Sequence, residues 1–228
     1  MATKRSSQAR APLTDKELWY LTADQFLRLK LTEDEKARLG RINKEKEQER
    51  IDRSARLRIE EEPILAELRG VGWNIESVWD LVNTSAKYAE VISILLKHLL
   101  LPYSDSTRDG IARSLAVPEP EVQKAWPILV EEYRKAPMGW GIKGPGDTRE
   151  YKLGAKDGLA CALSAAVTDE TLEELIAIAK DRRQGESRVL FLSALKKRLN
   201  KNPLAKQAIE ELASDPDLEK EIASWRRR

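Results

Sequence analysis

The sequence predicts an all-α protein. Apolar side chains recur with the 3.6-residue period of an amphipathic helix, and no stretch shows the strict alternation that is typical of a strand. Proline and glycine interrupt this helical pattern at short intervals in the second half of the chain, as they do between packed helices. Of the 228 residues, 41% are hydrophobic and 34% are charged, so the chain can form a core beneath a large solvated helix surface.

Residues 1–70 are predicted to form an N-terminal arm. A basic tail comes first, followed by one or two short helices behind the capping residues Thr14 and Thr22. Thr32 then caps a long, highly charged helix. Because part of the long helix contains no apolar residue, we expect the arm to be separate from the rest of the chain.

The long charged helix has two interpretations. No apolar side chain occurs from Asn43 to Arg50, which interrupts any sustained heptad seam. The helix therefore either packs on the body of the protein through its scattered apolar residues or binds a partner chain as a homodimer. Without a partner, we expect residues 1–62 to be mobile.

Residues 71–228 are predicted to form a denser helical-repeat domain. Gly70 and Gly72 end the long helix, and an apolar set that starts at Trp73 follows them. From about Lys87 onwards the apolar residues keep the helical period. The first of these helices carries Val91, Ile92, Leu95, Leu96 and Leu99.

One helix occurs three times in this domain. The copies read RDGIARSLA over 108–116, KDGLACALS over 156–164 and RVLFLSALK over 188–196. The helix before each copy also repeats, so the unit is a helical hairpin. The wider spacing between the first two copies contains an insertion rich in Gly and Pro at 137–147. A fourth, shorter pair is predicted from Pro203 to Ser214 and from Pro216 to Trp225.

These pairs resemble the HEAT-repeat family over residues 86–226. The matching feature is the second helix of each pair, in which a basic residue is followed by small and aliphatic residues. The third copy departs from the pattern, with Val189 in place of Asp and Leu190 in place of Gly. The resemblance implies a curved solenoid of about four hairpins with a shared core. The core positions expected are Ile92, Leu96, Ile111, Leu115, Leu159, Leu163, Ile176, Phe191 and Leu195.

The resemblance also implies a concave binding face formed by the second helices. That face is expected to present Asp109, Arg113, Asp157, Cys161, Ser193 and Lys196. Basic residues recur at one position of the repeat and should form a column, and the insertion adds residue types that are enriched at binding hot spots. The candidate partner-binding residues are Arg108, Arg113, Trp140, Arg149, Lys156 and Arg188. In the alternative interpretation, the cations bridge neighbouring Asp residues and hold the repeats in register, and Trp140 packs back onto the repeats.

Residues that could perform chemistry are scarce. One cysteine, Cys161, and one histidine, His98, exclude an internal disulfide, a thiolate zinc site and every His-pair metal motif. Residues 139–144 match G-x-G-x-x-G, but no strand precedes them, so we expect no nucleotide site. No catalytic residue, metal or cofactor is expected. The absence of a membrane-spanning run and of a secretory signal favours a cytoplasmic protein.

These observations favour a non-enzymatic scaffold or adaptor that binds an unidentified protein partner through its helical-repeat surface. The alternative is a nucleic-acid-binding protein with a concave basic face, similar to HEAT-like alkylpurine DNA glycosylases. A net charge of +2 counts against that alternative. An enzyme is the least favoured class, because the sequence shows no catalytic or cofactor-attachment cluster and a shared fold is weak support for an activity.

Overall fold

The computed structural model describes residues 10–138 and 154–225. Within these ranges the chain contains thirteen α-helices, two 3-10 segments and no β-strand, which confirms the prediction of an all-α protein. The 3-10 segments are Ala89–Val91 and Arg182–Phe191. The α-helices are α1 Asp15–Trp19, α2 Ala23–Arg28, α3 Glu33–Gly70, α4 Trp79–Val82, α5 Ile92–Leu99, α6 Asp105–Ser114, α7 Pro120–Lys124, α8 Trp126–Lys135, α9 Ala155–Ala166, α10 Leu172–Lys180, α11 Leu192–Arg198, α12 Pro203–Leu212 and α13 Glu219–Ser224.

The chain divides into two compact units. Of the described residues, the N-terminal unit contains 10–56, and the larger unit contains 57–138 and 154–225. Helix α3 contributes residues to both units. The domain boundary predicted after residue 70 stays a prediction.

Each of the three N-terminal helices begins with a threonine cap, as the sequence predicts. In all three, the threonine hydroxyl accepts a hydrogen bond from the amide three residues later, and the side chain of that later residue accepts one from the threonine amide. The three pairs are Thr14 with Glu17, Thr22 with Gln25 and Thr32 with Glu35. A small core of Leu18, Leu31 and Ile42 then joins α1, α3 and the segment between α2 and α3.

Glu35 links the start of α3 to the residues before α1. Its side chain is buried, and it accepts hydrogen bonds from the Leu13 amide at 2.8 Å and from Arg10 Nη2 at 2.8 Å. The backbone donors, Leu13 first and then Thr32, lower the pKa of Glu35 to about 2 together with a smaller effect of Arg10. The N-terminal unit is thus held together by one ionised carboxylate as well as by its small core.

The core of the larger unit includes the end of α3. Ile64 and Leu68 are fully buried in it, together with residues from α4 to α13. Of the predicted core positions, only Leu96 is half-buried. The others are buried as predicted: Ile92, Ile111, Leu115, Leu159, Leu163, Ile176, Phe191 and Leu195.

Three helix pairs of the larger unit pack in the order that the repeat predicts. Helix α5 packs on α6, α8 on α9, and α10 on the 3-10 segment Arg182–Phe191 that leads into α11. The second helices also contact one another in sequence, because α9 packs on α6 as well as on the 3-10 segment and α11. These contacts place the three copies of the repeated helix side by side.

Two predicted helix starts are wrong. The third copy begins as 3-10 turns rather than as an α-helix, because Gly185 has a φ of 71° and interrupts the helical backbone. The last helix begins at Glu219 rather than at Pro216. There, the Asp215 carboxylate accepts a hydrogen bond from the Asp217 amide at 3.0 Å, which forms a turn ahead of the helix.

Glycine occupies the same position in the first two copies because the helices touch their neighbours there. A Cβ at Gly158 of α9 would lie 2.6 Å from Asp109 Oδ1 and 2.8 Å from the Asp109 carbonyl oxygen of α6. A Cβ at Gly110 of α6 would lie 2.8 Å from Val78 Cγ2 and 2.9 Å from Trp79 Nε1. At both positions a larger side chain would push the two elements apart.

Replacing Gly158 with alanine is expected to destabilise the larger unit. Overpacking against backbone costs about 1–3 kcal/mol, whereas the better helix propensity of alanine returns only about 1 kcal/mol. Gly70→Ala is the matched control, because a Cβ at Gly70 would meet no atom within 4 Å. Urea unfolding followed by circular dichroism should show a lower midpoint for Gly158→Ala but not for Gly70→Ala. If the urea midpoint rose equally in both variants, the close approach of Gly158 to Asp109 would be contradicted.

Candidate functional site

The cations of the predicted basic column bind groups within the chain. Arg108 Nη2 donates to Glu132 Oε2 at 2.6 Å, and both side chains are largely buried. This ion pair joins α6 to α8. Arg108 therefore meets a partner on a neighbouring helix, and only a minor part of its side chain reaches solvent.

Lys156 is almost completely buried near the end of α8. Its ammonium group donates to the carbonyl oxygens of Tyr133 at 2.9 Å and Ala136 at 3.2 Å, and to Gln184 Oε1 at 3.0 Å. The ammonium also lies 4.5 Å from the centre of the Tyr133 ring. Desolvation lowers the pKa of Lys156. A cation at this place satisfies the carbonyls at the carboxyl end of α8 and ties that end to residue 184.

Arg188 is fully buried and joins three separate parts of the chain. Its guanidinium donates to Asp215 Oδ2 at 2.9 Å, to Asp217 Oδ2 at 2.7 Å and to the Ala179 carbonyl at 3.2 Å. Hydrogen bonds from Arg188 lower the pKa of Asp215 to about 2. The residue connects the end of α10 to the turn before α13, and no part of it is accessible to a partner in this conformation.

Arg113 pairs with an aspartate and remains partly exposed. Its Nε donates to Asp109 Oδ1 at 2.9 Å, and its Nη1 lies 3.9 Å from Cys161 Sγ. Asp109 and Asp157 were expected on the exposed face, but both are buried, because α6 and α9 approach closely at Gly158. Arg113 and Cys161 keep the partial exposure that was expected of them.

The ionisation of Asp109 is unfavourable in the folded protein. Burial raises the pKa of this carboxyl from 3.8 to about 6; Arg113 opposes the rise, and Asp157 and Asp105 add to it. The folded state binds this proton more tightly than the unfolded state does. The contribution of the protonated carboxyl to stability is therefore fully present below about pH 4 and is lost as the pH rises through about 6. Ionisation of Asp109 thus lowers the stability of the larger unit between about pH 4 and neutral pH.

We therefore expect Asp109→Asn to be more stable than the wild type at pH 7.5, by about 1 kcal/mol. Its stability should also fall less between pH 4 and pH 7. Thermal unfolding at a series of pH values measures both effects. Asp169→Asn is the control, because that carboxylate is 85% exposed and its removal should leave the pH profile unchanged. A loss of stability in Asp109→Asn at pH 7.5 would mean that the pair with Arg113 outweighs the cost of burial.

Two candidate residues from the insertion, Trp140 and Arg149, lie outside the described residues. Their role in partner binding stays a prediction. Met138, the last described residue before that segment, contacts Gly185. A Cβ at Gly185 would lie 2.1 Å from Met138 Sδ, which is part of a flexible side chain, and the φ of 71° at this position is what requires glycine.

A groove opens between α9, the 3-10 segment that leads into α11, and α13. Its volume is about 580 Å³. Small and aliphatic side chains dominate its lining, with lysines and a tryptophan at its edge. The lining residues are Cys161, Ser164, Ala165, Val189, Leu190, Leu192, Ser193, Lys196, Lys197, Glu221 and Trp225.

The groove contains three residues that the sequence places on the expected binding face: Cys161, Ser193 and Lys196. It also contains Leu190 and Trp225, which the repeat pattern does not single out. Leu190 occupies the repeat position that is glycine in the other two copies. This departure from the pattern is the sequence signal that could have identified Leu190 as a groove residue.

A second cleft, of about 410 Å³, lies in the N-terminal unit between α1 and α3. Its lining is mostly charged and contains ion pairs. Arg38 Nη2, for example, lies 2.7 Å from Asp15 Oδ1. We base the candidate site on the larger unit instead, because an apolar lining with a few polar groups is the typical composition of a binding site.

His98 and Cys161 carry the two potentially reactive side chains, and both lie among packed neighbours. His98 is buried; its Nδ1 lies 2.8 Å from the Tyr103 hydroxyl, and its Nε2 lies 3.2 Å from Glu67 Oε1. Burial raises the pKa of the Cys161 thiol, which lowers its nucleophilicity at neutral pH. Among the described residues, no cluster of His, Cys, Asp or Glu side chains could hold a metal ion.

No protein-family model, curated protein or solved structure matches the chain. Across residues 10–138 and 154–225, no helix is long and apolar enough to span a bilayer.

Proposed function

We propose that the chain is a non-enzymatic protein-interaction scaffold built on a HEAT-like solenoid of about four helical hairpins. The order of helix pairing in the larger unit supports the solenoid, because the second helices of neighbouring pairs pack on one another. The equivalent glycines Gly110 and Gly158 support it as well, since both occur where a copy of the repeated helix packs on the element before it.

One observation carries the functional part of the proposal: the groove beside α9 and α11. Its half-buried apolar residues, Val189 and Leu190 among them, are open to solvent from one side. Apolar surface that stays accessible in a cleft and is rimmed by charge is typical of a protein-binding site. The tryptophan at its edge, Trp225, belongs to the residue types that contribute most to binding energy.

Nucleic-acid binding is the second candidate. The pair of lysines, Lys196 and Lys197, beside Trp225 favours it, because single-stranded nucleic acids bind through cations and stacked aromatic rings. The burial of Lys156 and Arg188 counts against it, since these cations would have to reach phosphates. We therefore favour the scaffold proposal over nucleic-acid binding.

The test is affinity capture from lysates of the source cell. It compares the wild type, in which the groove is open, with a variant in which a large side chain fills the groove. Ser193→Trp places a large side chain in the groove from an exposed position. Ser106→Trp is the matched control, because Ser106 is exposed on α6 and does not line the groove. Circular dichroism should show both variants to be folded. We expect Ser193→Trp to lose the partners that the wild type and Ser106→Trp capture.

Nuclease treatment separates the two candidate functions. Protein partners that remain after nuclease treatment support the scaffold, whereas partners that disappear with the nucleic acid favour the second candidate. Equal capture by wild type and Ser193→Trp would exclude the groove as the binding site.

A further inference from the structure

The floor of the groove is apolar and offers few hydrogen-bond donors. Ala165, Val189 and Leu190 are half-buried there and still expose apolar surface. The hydroxyls of Ser164 and Ser193 both donate to the Leu190 carbonyl oxygen, at 3.1 Å and 3.0 Å. Their protons are thus used within the chain, and the hydroxyl oxygens remain as acceptors. Such a floor fits an apolar side chain flanked by backbone amides.

The rim of the groove is positively charged. Lys196 and Lys197 lie at the edge, and the lining contains one carboxylate, Glu221, which accepts a hydrogen bond from Trp225 Nε1 at 2.9 Å. The Lys196 ammonium lies 4.5 Å from the centre of the Trp225 ring, so a cation–π contact holds it beside the opening. The lining thus contains two ammonium groups and one carboxylate, which makes the rim attractive to an anionic ligand.

From this combination we propose that the groove binds a short acidic peptide segment that carries an apolar anchor residue. The inference rests on the proposed scaffold function and adds the chemical class of the partner. The anchor would cover the exposed surface of Val189 and Leu190, and carboxylates on either side of it would meet Lys196 and Lys197. A phosphodiester chain fits less well, because it has little aliphatic surface to cover the floor and needs donors that the two serines do not supply.

The experiment is a selection from a random peptide library displayed on phage, with the full-length protein immobilised. We expect the enriched peptides to combine Asp or Glu with Leu, Ile or Phe. A synthetic peptide of the enriched sequence is then titrated against each variant by fluorescence anisotropy. The double variant Lys196→Glu/Lys197→Glu should weaken binding at least about tenfold and should itself select basic peptides. Lys201→Glu/Lys206→Glu is the control, because both lysines are exposed and neither lines the groove.

The outcomes separate this inference from the proposed function. If the wild type enriched neutral or basic peptides, the acidic class of ligand would be overturned. If Ser193→Trp still lost the captured partners in that case, the proposed scaffold function would stand. No enrichment, together with equal capture by Ser193→Trp and the wild type, would overturn both. A labelled single-stranded oligonucleotide is titrated in parallel. Tighter binding of that probe than of any enriched peptide, lost on charge reversal, would overturn the acidic peptide in favour of nucleic acid.

Discussion

Replacing Arg188 with alanine is expected to lower the free energy of unfolding of the larger unit by about 3–5 kcal/mol. The guanidinium is fully buried and joins α10 to the turn that contains Asp215 and Asp217. Its removal leaves the buried Asp215 carboxylate short of its main partner and leaves the Ala179 carbonyl without the hydrogen bond from Arg188. Urea unfolding followed by circular dichroism measures the loss.

Arg183→Ala is the control for this prediction. Arg183 lies in the same 3-10 segment and pairs with Asp181, but its side chain is 89% exposed, so its removal should cost less than about 1 kcal/mol. The double variant Arg188→Ala/Asp215→Ala should recover part of the loss, because it removes the uncompensated charge as well. A loss below about 1 kcal/mol in Arg188→Ala would show that water replaces the guanidinium without penalty.

Leu163→Ala should cost about 2–5 kcal/mol, the range for a core leucine. Leu163 is fully buried on α9, the helix that contacts α6, α8 and α11, so the cavity left by its side chain would lie where several elements meet. Leu204→Ala provides the comparison, because Leu204 is 44% exposed on α12 and little would be lost there. A similar midpoint for both variants would mean that the structure around α9 collapses to fill the cavity.

The sequence was sufficient to predict the helices and most of the core, because both follow from local periodicity. The threonine caps and the apolar core positions of α6 and α9 needed no knowledge of distant contacts. The burial of Asp109 and Asp157 did need it, because it depends on the close approach of these two helices at Gly158. The starts of the second helices in the third and fourth pairs could not be predicted in the same way. They depend on the left-handed backbone of Gly185 and on the turn at Asp215, whose partner Arg188 comes 27 residues earlier in the chain.

The candidate site shows a similar limit. The repeat pattern places Cys161, Ser193 and Lys196 on one face, and all three line the groove. The pattern does not show that Lys156 and Arg188 are buried, because a cation next to a helix start looks the same in the sequence whether it faces solvent or a carbonyl group. Burial is decided by the neighbouring helix ends, α8 for Lys156 and α10 for Arg188.

One position of the repeat lies where the repeated helix approaches a neighbouring element. Where that position is Gly110 or Gly158, backbone or side-chain atoms of the adjacent element come into direct contact. Where it is Leu190, the side chain forms part of the groove floor. The larger unit thus has a cleft where this position holds leucine instead of glycine, so the size of one side chain decides whether two neighbouring elements touch or leave a space between them.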